Sequence, residues 1–462
     1  MDEHTLPPDL PRLPDDWAWR PLATLTEPNR GVSYGIVQPG SHDPAGVPIL
    51  RADNVRDGYI QTDVVLRVAQ VIERGYQRSR LHGGEVVLTL VGAYFGKAAI
   101  IPDRFRGWNV ARAVAVIPVV TGLEPQWLVS CLRSPVVQHY IRNWATTTAQ
   151  PTLNLRDVAR LPIPMPPRDE RIRISHVLSA IDEKIELSQR MNETLEATAR
   201  ALFRSWFVDF DPVRAKAEGR DTGLPKHLAD IFPDSFEDTG LGKIPKGWRI
   251  GKLGGVLSVV ETGGRPRGGV RDITEGVPSV GAESIVGIGH FDYSKTRFVP
   301  RDFFANMNKG HVQDYDVLLY KDGGRPGVYE PHLTVVGDGF PFTEFCINEH
   351  VYRLRTEPTL PQSYLFFYLS SDSAMEEMRT RGTGVAIPGL NSTAVRELAV
   401  LEPSVPALEA FENSVSPIVR RIFCNCKESH SLAMLRDTLL PKLISGQVRI
   451  GSKLPAELSN AQ

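Results

Sequence analysis

The stretch RDERIRISHVLSAIDEKIELSQRMNETLEATARALFRSWF, residues 168–207, governs how the rest of the chain is arranged. It contains neither glycine nor proline, and its apolar residues recur at spacings of three and four, which predicts one long helix. Two interleaved rows give this helix the a and d seam of a coiled coil, interrupted in its middle by Ser188 and Asn192. So narrow an apolar stripe needs a partner helix to cover it. The rows are Ile174, Ile181, Ser188, Leu195, Leu202 and Leu178, Ile185, Asn192, Ala199, Trp206.

A second seam of the same kind runs through residues 405–446, and it is the obvious partner of the first. Pro417 lies inside this seam and is expected to kink the second helix or to delay its start. We expect the two helices to pair antiparallel, each about 60 Å long, with one globular domain at each end. The second seam consists of Phe411, Val415, Ile418, Ile422, Asn425, Ser429, Leu432, Leu435 and Leu439.

The sequence outside the helices contains an internal repeat, with the same landmarks in the same order in both copies. Leu13-Pro14-Asp15-Asp16-Trp17 returns as Ile244-Pro245-Lys246-Gly247-Trp248, with the two tryptophans 231 residues apart. Pro151-Thr152-Leu153-Asn154 returns as Pro388-Gly389-Leu390-Asn391 at an offset of 237, and we match Leu195 to Leu435 at 240. Because the landmarks keep their order while the offset drifts slowly, we infer a tandem duplication. Each copy is too long for a solenoid repeat and reads as a globular domain followed by a helix.

Each globular part is predicted to be mixed α/β (α+β) with short strands. Apolar, β-rich runs at residues 86–90, 98–101 and 113–117 predict strands, and residues 125–144 and 361–379 show helical spacing. Residues 211–243 are rich in proline and glycine, which indicates a linker. The predicted organisation is a first globular domain (1–166), a long helix (167–210), a linker (211–243), a second globular domain (244–404), a second long helix (405–446) and a tail (447–462).

Composition excludes several classes of protein. The 462 residues carry 53 Lys and Arg against 54 Asp and Glu, which argues against a uniformly cationic surface but leaves room for local basic patches. Four scattered cysteines make no disulfide framework, so a reducing compartment, the cytoplasm, is expected. The acidic, proline-rich start lacks the features of a signal peptide, and no stretch approaches the roughly 18 apolar residues of a membrane span. We therefore expect no membrane association.

No catalytic or metal site is predicted. The pairs Pro7-Pro8 and Pro166-Pro167 lack the flanking residues of an adenine methyltransferase site, and Gly287-x-Gly289 is far weaker than a cofactor fingerprint. Cys424 and Cys426 have only His430 nearby, whereas zinc needs about four ligands. Asp182-Glu183-Lys184 lies within the coiled-coil pattern and reads as a solvated helix face. An enzyme of unrecognised type and a purely structural scaffold remain as alternatives.

This ordered set of landmarks resembles the specificity subunits of type I restriction–modification systems, over nearly the whole chain. The second helix, with Pro417, and the second domain's loop, Gly323-Gly324-Arg325-Pro326-Gly327, depart locally from the family pattern. The segments that carry the resemblance are Leu13-Pro-x-x-Trp17 and Ile244-Pro-x-x-Trp248, Gly92 to Lys97 with the following strand, Gln150 to Leu155 running into Leu161-Pro162-Ile163-Pro164, Asn348-Glu349-His350-Val351, Leu202 to Pro212, and Leu440 to Gly446.

The resemblance implies a division of labour. Each globular part would be a target recognition domain that reads one half of a split site on double-stranded DNA, and the helices would hold the two domains apart. Two methyltransferase subunits would dock along the helices and bring S-adenosylmethionine, while translocase–nuclease restriction subunits would bring ATP and Mg²⁺. The chain itself would bind no cofactor and would catalyse nothing.

Basic residues gather near two equivalent loops, Gly92 to Gly96 and Gly323 to Gly327. Each loop follows an apolar strand, and it could either cradle phosphate or form a tight turn that needs glycine. Arginine suits both phosphate and guanine edges. The candidate DNA-binding residues are Arg78, Arg80, Tyr94, Lys97, Arg104, Arg106 and Arg112 in the first domain and Arg265, Arg267, Arg271, Lys321 and Arg325 in the second.

Overall fold

The computed structural model describes residues 6–62, 65–92, 94–145, 151–240, 242–384 and 387–451. The chain divides into two compact units, of which the first comprises residues up to Ile185 and from Leu432 onward, and the second comprises Glu186–Ser431. Gln150 and most of the predicted tail, from residue 452, lie outside the described residues.

Among its described residues, the first unit contains nine strands, five α-helices that begin within it, and the C-terminal part of one further long helix from Leu432 onward. Its strands are β1 (Ala18–Pro21), β2 (Ser33–Tyr34), β3 (Val47–Leu50), β4 (Leu66–Val68), β5 (Val86–Thr89), β6 (Ala98–Ile100), β7 (Asn109–Val110), β8 (Val114–Ile117) and β9 (Pro162–Met165). Its helices are α1 (Gln70–Glu73), α2 (Pro125–Arg133), α3 (Pro135–Trp144), α4 (Leu155–Arg160) and α5 (Arg168–Phe207), the last only as far as Ile185.

The second unit takes the remainder of α5 and the following elements. Its further helices are α6 (Asp211–Ala217), α7 (Lys226–Ala229), α8 (Arg301–Ala305), α9 (Gln362–Leu369), α10 (Asp372–Arg381), α11 (Ser392–Arg396) and α12 (Val405–Ile444), the last only as far as Ser431. Its strands are β10 (Phe236–Thr239), β11 (Gly242–Pro245), β12 (Arg249–Lys252), β13 (Leu257–Thr262), β14 (Val277–Val280), β15 (Arg297–Val299), β16 (Val317–Tyr320), β17 (Gly324–Arg325), β18 (Val328–Tyr329), β19 (Leu333–Val335), β20 (Cys346–Ile347), β21 (Val351–Thr356) and β22 (Ala399–Glu402).

The two globular domains share one sheet framework. A four-stranded antiparallel sheet has the order β2-β8-β5-β6 in the first domain and β13-β21-β16-β19 in the second. A three-stranded sheet, β4-β3-β7 or β15-β14-β20, contains one parallel pair, and β1-β9 or β12-β22 forms a two-stranded ribbon. The registers also match, since Val86 pairs with Ile117 in the first domain and Val317 with Leu354 in the second. The predicted duplication and the mixed α/β class are confirmed.

The central strands are apolar on both faces because each four-stranded sheet lies between two cores. Val86 and Leu88 of β5 belong to one buried cluster, while the intervening Val87 belongs to another. In β16 the same alternation sends Val317 and Leu319 to one cluster and Leu318 to a second. Side chains alternate across a strand, so a strand buried on both sides reads as a continuous apolar run. This explains why the runs at 86–90, 98–101 and 113–117 form strands as predicted.

Each helical stretch near the end of a domain is a pair of helices rather than one. Ser134 ends α2 and caps α3, with its Oγ accepting a hydrogen bond from the Val137 amide at 3.4 Å. Pro135 follows at the first helical position, where the missing amide hydrogen costs nothing. Ser371 plays the same part before α10. Apolar spacing alone did not show these breaks because both members of each pair bury a face in the same core.

The two long helices are equal in length, 40 residues each, and α12 begins at Val405 and runs unbroken through Pro417. The expectation that Pro417 delays the start was wrong. A proline inside a helix costs about 3 kcal/mol, but Val415 and Val419 on either side are buried and anchor the backbone. The two helices begin at Arg168 and Val405, so the offset between the two copies is 237 residues in the helices as well. Leu195 therefore corresponds to Leu432 rather than to Leu435.

Both units contain an antiparallel pairing of the two helices. In the first unit Asp182 of α5 forms an ion pair with Arg436 of α12 at 3.0 Å, and Leu178 shares a buried cluster with Leu440. In the second unit the Asn425 side-chain amide donates to Asn192 Oδ1 at 2.8 Å. As the residue number increases along α5, the number of its partner on α12 decreases, as predicted for an antiparallel coiled coil.

A polar chain in the second unit fixes the register of the helices. Asn425 is buried, and Asn192, its acceptor, donates to Cys426 Sγ at 3.2 Å. The Cys426 thiol in turn donates to the Gly289 carbonyl at 3.1 Å. Gly289 has a φ of 73°, and a Cβ there would lie 2.7 Å from Ile422 Cγ2. Gly289 therefore allows a turn to pack closely against α12.

The segment predicted as a linker, 211–243, holds α6, α7 and β10 and packs into the second unit. Val213 and Phe232 are buried in the same cluster as Trp206 and Trp248. The ring centroids of Phe232 and Trp206 are 5.1 Å apart in an edge-to-face arrangement. These aromatic contacts hold the segment against the end of α5.

We expect Asn425→Ala to lower the free energy of unfolding by about 1–3 kcal/mol, because it removes the donor to Asn192 inside the helix pair. Chemical denaturation followed by tryptophan fluorescence would measure this loss. Thr438→Ala, at an exposed position of the same helix, is the control and should change stability by less than about 0.5 kcal/mol. Equal stabilities for Asn425→Ala and the unmodified chain would contradict a register-fixing role.

Candidate nucleic-acid interface

The loop after β5 is a tight turn held by its own backbone. Gly92 and Gly96 have φ values of 87° and 79°, a region that favours glycine. The amides of Phe95 and Gly96 donate to the carbonyls of Gly92 and Thr89 at 3.0 and 2.9 Å, and the Lys97 amide donates to Thr89 Oγ1 at 2.8 Å. These three amides are used within the loop, so the tight-turn interpretation is favoured over a phosphate cradle.

The equivalent loop of the second domain is a hairpin. Gly324 and Arg325 of β17 pair with Tyr329 and Val328 of β18, and Gly327 has a φ of 78° at the turn. The Gly323 amide donates to the Pro388 carbonyl at 2.8 Å. The exposed tip of this hairpin presents Arg325, whose guanidinium lies 3.5 Å from Glu330.

Tyr94 and Lys97 contact Arg56 and Asp57, two residues about 40 positions earlier in the chain. The guanidinium of Arg56 lies over the Tyr94 ring, 4.7 Å from its centroid. Lys97 forms an ion pair with Asp57, and both side chains are 41% exposed. A half-exposed ion pair contributes little to stability and can open for a phosphate. The folded chain thus adds Arg56 and Asp57 to a site that sequence reasoning limited to the loop.

Arg80 is part of a buried network. Its guanidinium binds the carboxylate of Glu73, with Nε to Oε1 at 2.8 Å, and Asn109 donates to the same carboxylate at 3.0 Å. The hydrogen bonds from Arg80 hold the pKa of Glu73 below its usual value. Ser79 completes the network by donating to Asn109 Oδ1 at 2.7 Å. This geometry gives Arg80 a part in holding α1 against β7.

Arg78, Arg104 and Arg106 are exposed. Arg78 donates to the Arg30 carbonyl at 2.7 Å, and Arg104 lies over the Phe105 ring at 4.8 Å from its centroid. Arg106 forms an ion pair with Asp103 at 3.1 Å, three residues away. None of these contacts takes the guanidinium fully out of solvent.

Arg112 lines a groove with a mostly apolar lining, which we call the Tyr34 groove. It consists of two adjoining concavities that share Tyr34 and Leu155. Tyr34 itself is 46% exposed. The remaining lining side chains that can bind polar ligands are Arg112, Thr152 and Asn154 in one concavity and Ser33, Arg74, Tyr76, Gln77, Arg78 and Ser79 in the other.

Sequence reasoning missed Tyr34 and Gln77. Tyr34 stands on a two-residue strand with no recognisable pattern, and it meets the Arg112 segment only because β2 pairs with β8. Arg112 and Arg78, in contrast, were selected from the sequence, and the fold brings both to the groove. The only signal for Tyr34 was its position soon after the start of the first copy.

In the second domain, three of the five charged candidates lie in ion pairs, one of them the pair of Arg325 with Glu330. Arg265 binds Glu349 at 2.8 Å, and Lys321 binds Asp322 at 3.2 Å. His350 Nδ1 also lies 3.1 Å from Asp322 Oδ2. Arg267 and Arg271 are exposed, and they form no ion pair with another described residue.

Cysteines and acidic residues show no metal centre in the described part of the chain, where no three His, Cys, Asp or Glu side chains are grouped to hold an ion. Cys424 is exposed, whereas Cys426 is buried and burial raises its thiol pKa to about 11. Among the described residues, no helix is both long enough and apolar enough to span a bilayer.

Comparisons with known proteins agree on one family. Residues 44–197 match the type I restriction modification DNA specificity domain. The specificity subunit of the type I enzyme MjaIX from Methanocaldococcus jannaschii is 25% identical over 71% of this chain and 70% of its own. That of HindI from Haemophilus influenzae is 23% identical over 81% of this chain and 88% of its own. The EcoBI specificity subunit from Escherichia coli is 31% identical over 35% of this chain and 34% of its own.

A solved structure extends the likeness to the fold of the whole chain. The type I restriction–modification S subunit from M. genitalium superposes with a TM-score of 0.53 at 15% identity, covering 96% of this chain and 98% of that one. The matched domain, the full-length relatives and the twice-built framework with its paired long helices lead to one conclusion. Residues 44–197 match the type I restriction modification DNA specificity domain, and the chain resembles type I specificity subunits in sequence over most of its length and in fold.

Proposed function

We propose that this chain reads a bipartite site on double-stranded DNA, one half with each globular domain. The observation that carries the proposal is one sheet framework built twice, with different polar side chains at its exposed loops. The first domain presents the Tyr34 groove with Arg78 and Arg112, and the second presents Arg265, Arg325 and their acidic partners. Two readers with different surface chemistry suit an asymmetric split site better than a protein-only scaffold.

We further propose that the chain is a non-catalytic scaffold in the cytoplasm. Two methyltransferase subunits would bind the long helices and supply S-adenosylmethionine, and restriction subunits would supply ATP and Mg²⁺. The family supports this division, and large apolar side chains remain uncovered on both helices. Met434 and Leu435 of α12 are 59% and 48% exposed, and Leu187 of α5 is 48% exposed. Exposed apolar side chains grouped on a helix are typical of a protein-binding surface.

The apolar pair on α12 provides a test of docking. We expect the double variant Met434→Asp with Leu435→Asp to weaken binding of the methyltransferase at least tenfold, because burying each side chain contributes about 1.5–3 kcal/mol. Co-purification and calorimetric titration would measure this. Thr438→Asp, exposed on the same helix, is the matched control and should bind as the unmodified chain does. Unchanged binding by the double variant would place the methyltransferase elsewhere.

A domain exchange tests the two-reader proposal. Replacing residues 13–155 by the equivalent domain of another specificity subunit should change one half of the methylated site and leave the other half intact. Sequencing methylated bases in a host that carries the chimaera and its methyltransferase would show the site directly. The reciprocal exchange, of residues 244–391, should alter the other half. If either exchange changed both halves, the domains would not be independent readers.

The spacing between half-sites is proposed to depend on the helix pair, and matched insertions test this. Since Asn192 pairs with Asn425, Gln189 lies opposite residue 428. Four residues inserted after each of these positions lengthen both helices by about 6 Å and turn them about 40° beyond a full turn. One base pair adds about 3.4 Å and about 34°. We therefore expect the unspecified spacer in the methylated site to grow by one or two base pairs.

Two controls make the spacer experiment decisive. Four residues inserted after the exposed Gly219, outside the helices, should leave the spacer unchanged. The same insertion in α5 alone should break the Asn192–Asn425 contact and lower the melting temperature. An active variant with both helices lengthened and the original spacer would refute the proposal that the helices measure distance.

A further inference from the structure

The duplicated framework identifies positions where the two domains differ at the same point of the backbone. Arg112 and Glu349 form such a pair, because each lies two residues before an equivalent strand, β8 or β21. The preceding residues confirm the match. The Ala111 amide donates to the Leu50 carbonyl at 2.8 Å, and the Asn348 amide donates to the Val280 carbonyl at 3.1 Å. The same backbone position therefore carries a cation in one domain and an anion in the other.

Neighbouring framework residues are kept in both copies. Asn154 Oδ1 accepts from the Asp157 amide at 2.9 Å, and Asn391 Oδ1 accepts from the Ala394 amide at 2.8 Å, so both asparagines cap a helix. Tyr34, by contrast, corresponds to Thr262, since they pair with Ala115 and Tyr352 of the equivalent strands. The capping asparagines therefore have the same role in both domains, whereas the side chains that face solvent differ between the domains.

Arg112 is available to a ligand. It is exposed, it lines the Tyr34 groove, and its guanidinium forms no hydrogen bond or ion pair with any residue that the structure describes. A free guanidinium presents two parallel donors that match O6 and N7 of guanine in the major groove. A lone arginine could equally bind phosphate. The equivalent position of the second domain, Glu349, distinguishes between binding a phosphate and binding a base.

Glu349 cannot serve as a phosphate contact, because a carboxylate repels the DNA backbone. Its Oε1 accepts from Arg265 Nε at 2.8 Å and lies 3.6 Å from His350 Nε2, while Oε2 is buried and has no hydrogen-bond partner among the described residues. The Arg265 guanidinium is 63% exposed and offsets the negative charge close to the DNA. The Glu349 side chain is 29% exposed, and a turn of its carboxylate toward solvent would free Oε2 to accept from the exocyclic amino group of cytosine.

We propose that Arg112 and Glu349 are the matched specificity-determining residues of the two domains. Arg112 donates to a guanine in the half-site of the first domain. Glu349 accepts from the amino group of a cytosine in the half-site of the second, and Arg265 is the positioning residue that orients its carboxylate. This assignment rests on the proposed function and deepens it, by naming the bases that one position of each domain reads.

The test uses the assembled complex of this chain with its methyltransferase, and it compares methylated sites by sequencing. Arg112→Ala should reduce the preference for guanine at one position of the first half-site by about tenfold or more, leaving the second half-site unchanged. Arg112→Lys should also relax that position, because an ammonium keeps the charge but not the paired donors. Both variants should have the melting temperature of the unmodified chain, since the Arg112 guanidinium forms no hydrogen bond or ion pair with a described residue.

Glu349→Gln should change a single position of the second half-site from cytosine toward adenine, because an amide pairs with adenine N6 and N7. Arg265→Ala should weaken discrimination at that same position. Arg220→Ala, at an exposed position of the segment 211–243 that carries no candidate DNA-binding residue, is the control and should leave the methylated site unchanged.

The outcomes separate this assignment from the function on which it rests. If the unmodified complex methylates no defined bipartite site, the proposed function fails. If it does, and Arg112→Ala and Glu349→Gln keep every base of that site, the assignment is overturned while the function stands. Weaker binding by equal factors to all sequences would likewise overturn it, since that result is the mark of a phosphate contact.

Discussion

Each globular domain completes its core with one end of each long helix, and this shared burial is the constraint on which the rest of the fold depends. In the first unit Leu178 of α5 and Leu440 and Leu443 of α12 lie in the cluster that contains Trp17 and Trp127. In the second unit Phe203 and Phe207 of α5 and Phe411 of α12 surround Tyr364. Because apolar burial dominates folding, neither domain closes its core without residues from both halves of the chain.

The same constraint ties the end of α12 to the beginning of the first domain. Arg449 donates to Glu170 at 2.5 Å and to Asp16 at 2.7 Å, and its guanidinium lies over the Trp17 ring. Trp17 in turn donates from its indole nitrogen to Glu170 at 3.2 Å. The hydrogen bond with Arg449 holds the pKa of Asp16 below its usual value. The pair of Arg449 with Asp16 is half-exposed and adds little stability, whereas Glu170 is buried.

A framework fixed by burial leaves the solvent-facing positions free to differ. Capping asparagines, strand registers and the tight turns at the domain starts recur in both copies, because each satisfies backbone groups that the fold cannot leave unpaired. Residues such as Arg112 and Glu349 satisfy no such requirement of the backbone. That difference in constraint is why two domains with one topology can present opposite charges at the same place.

The sequence by itself determined the duplication, the two long helices, the buried strands and the resemblance to type I specificity subunits. Those features rest on local patterns, since the spacing of apolar residues along α5 or β5 is visible without knowing any distant partner.

Only the tertiary structure decided which side chains share a surface. Arg80 looked as available as Arg112, yet its guanidinium binds the buried Glu73 carboxylate, which also accepts a hydrogen bond from Asn109. Tyr34 joined the groove through the pairing of β2 with β8, a contact between segments far apart in the chain. The uninterrupted course of α12 through Pro417 likewise depended on packing against the second domain, which no helical propensity encodes.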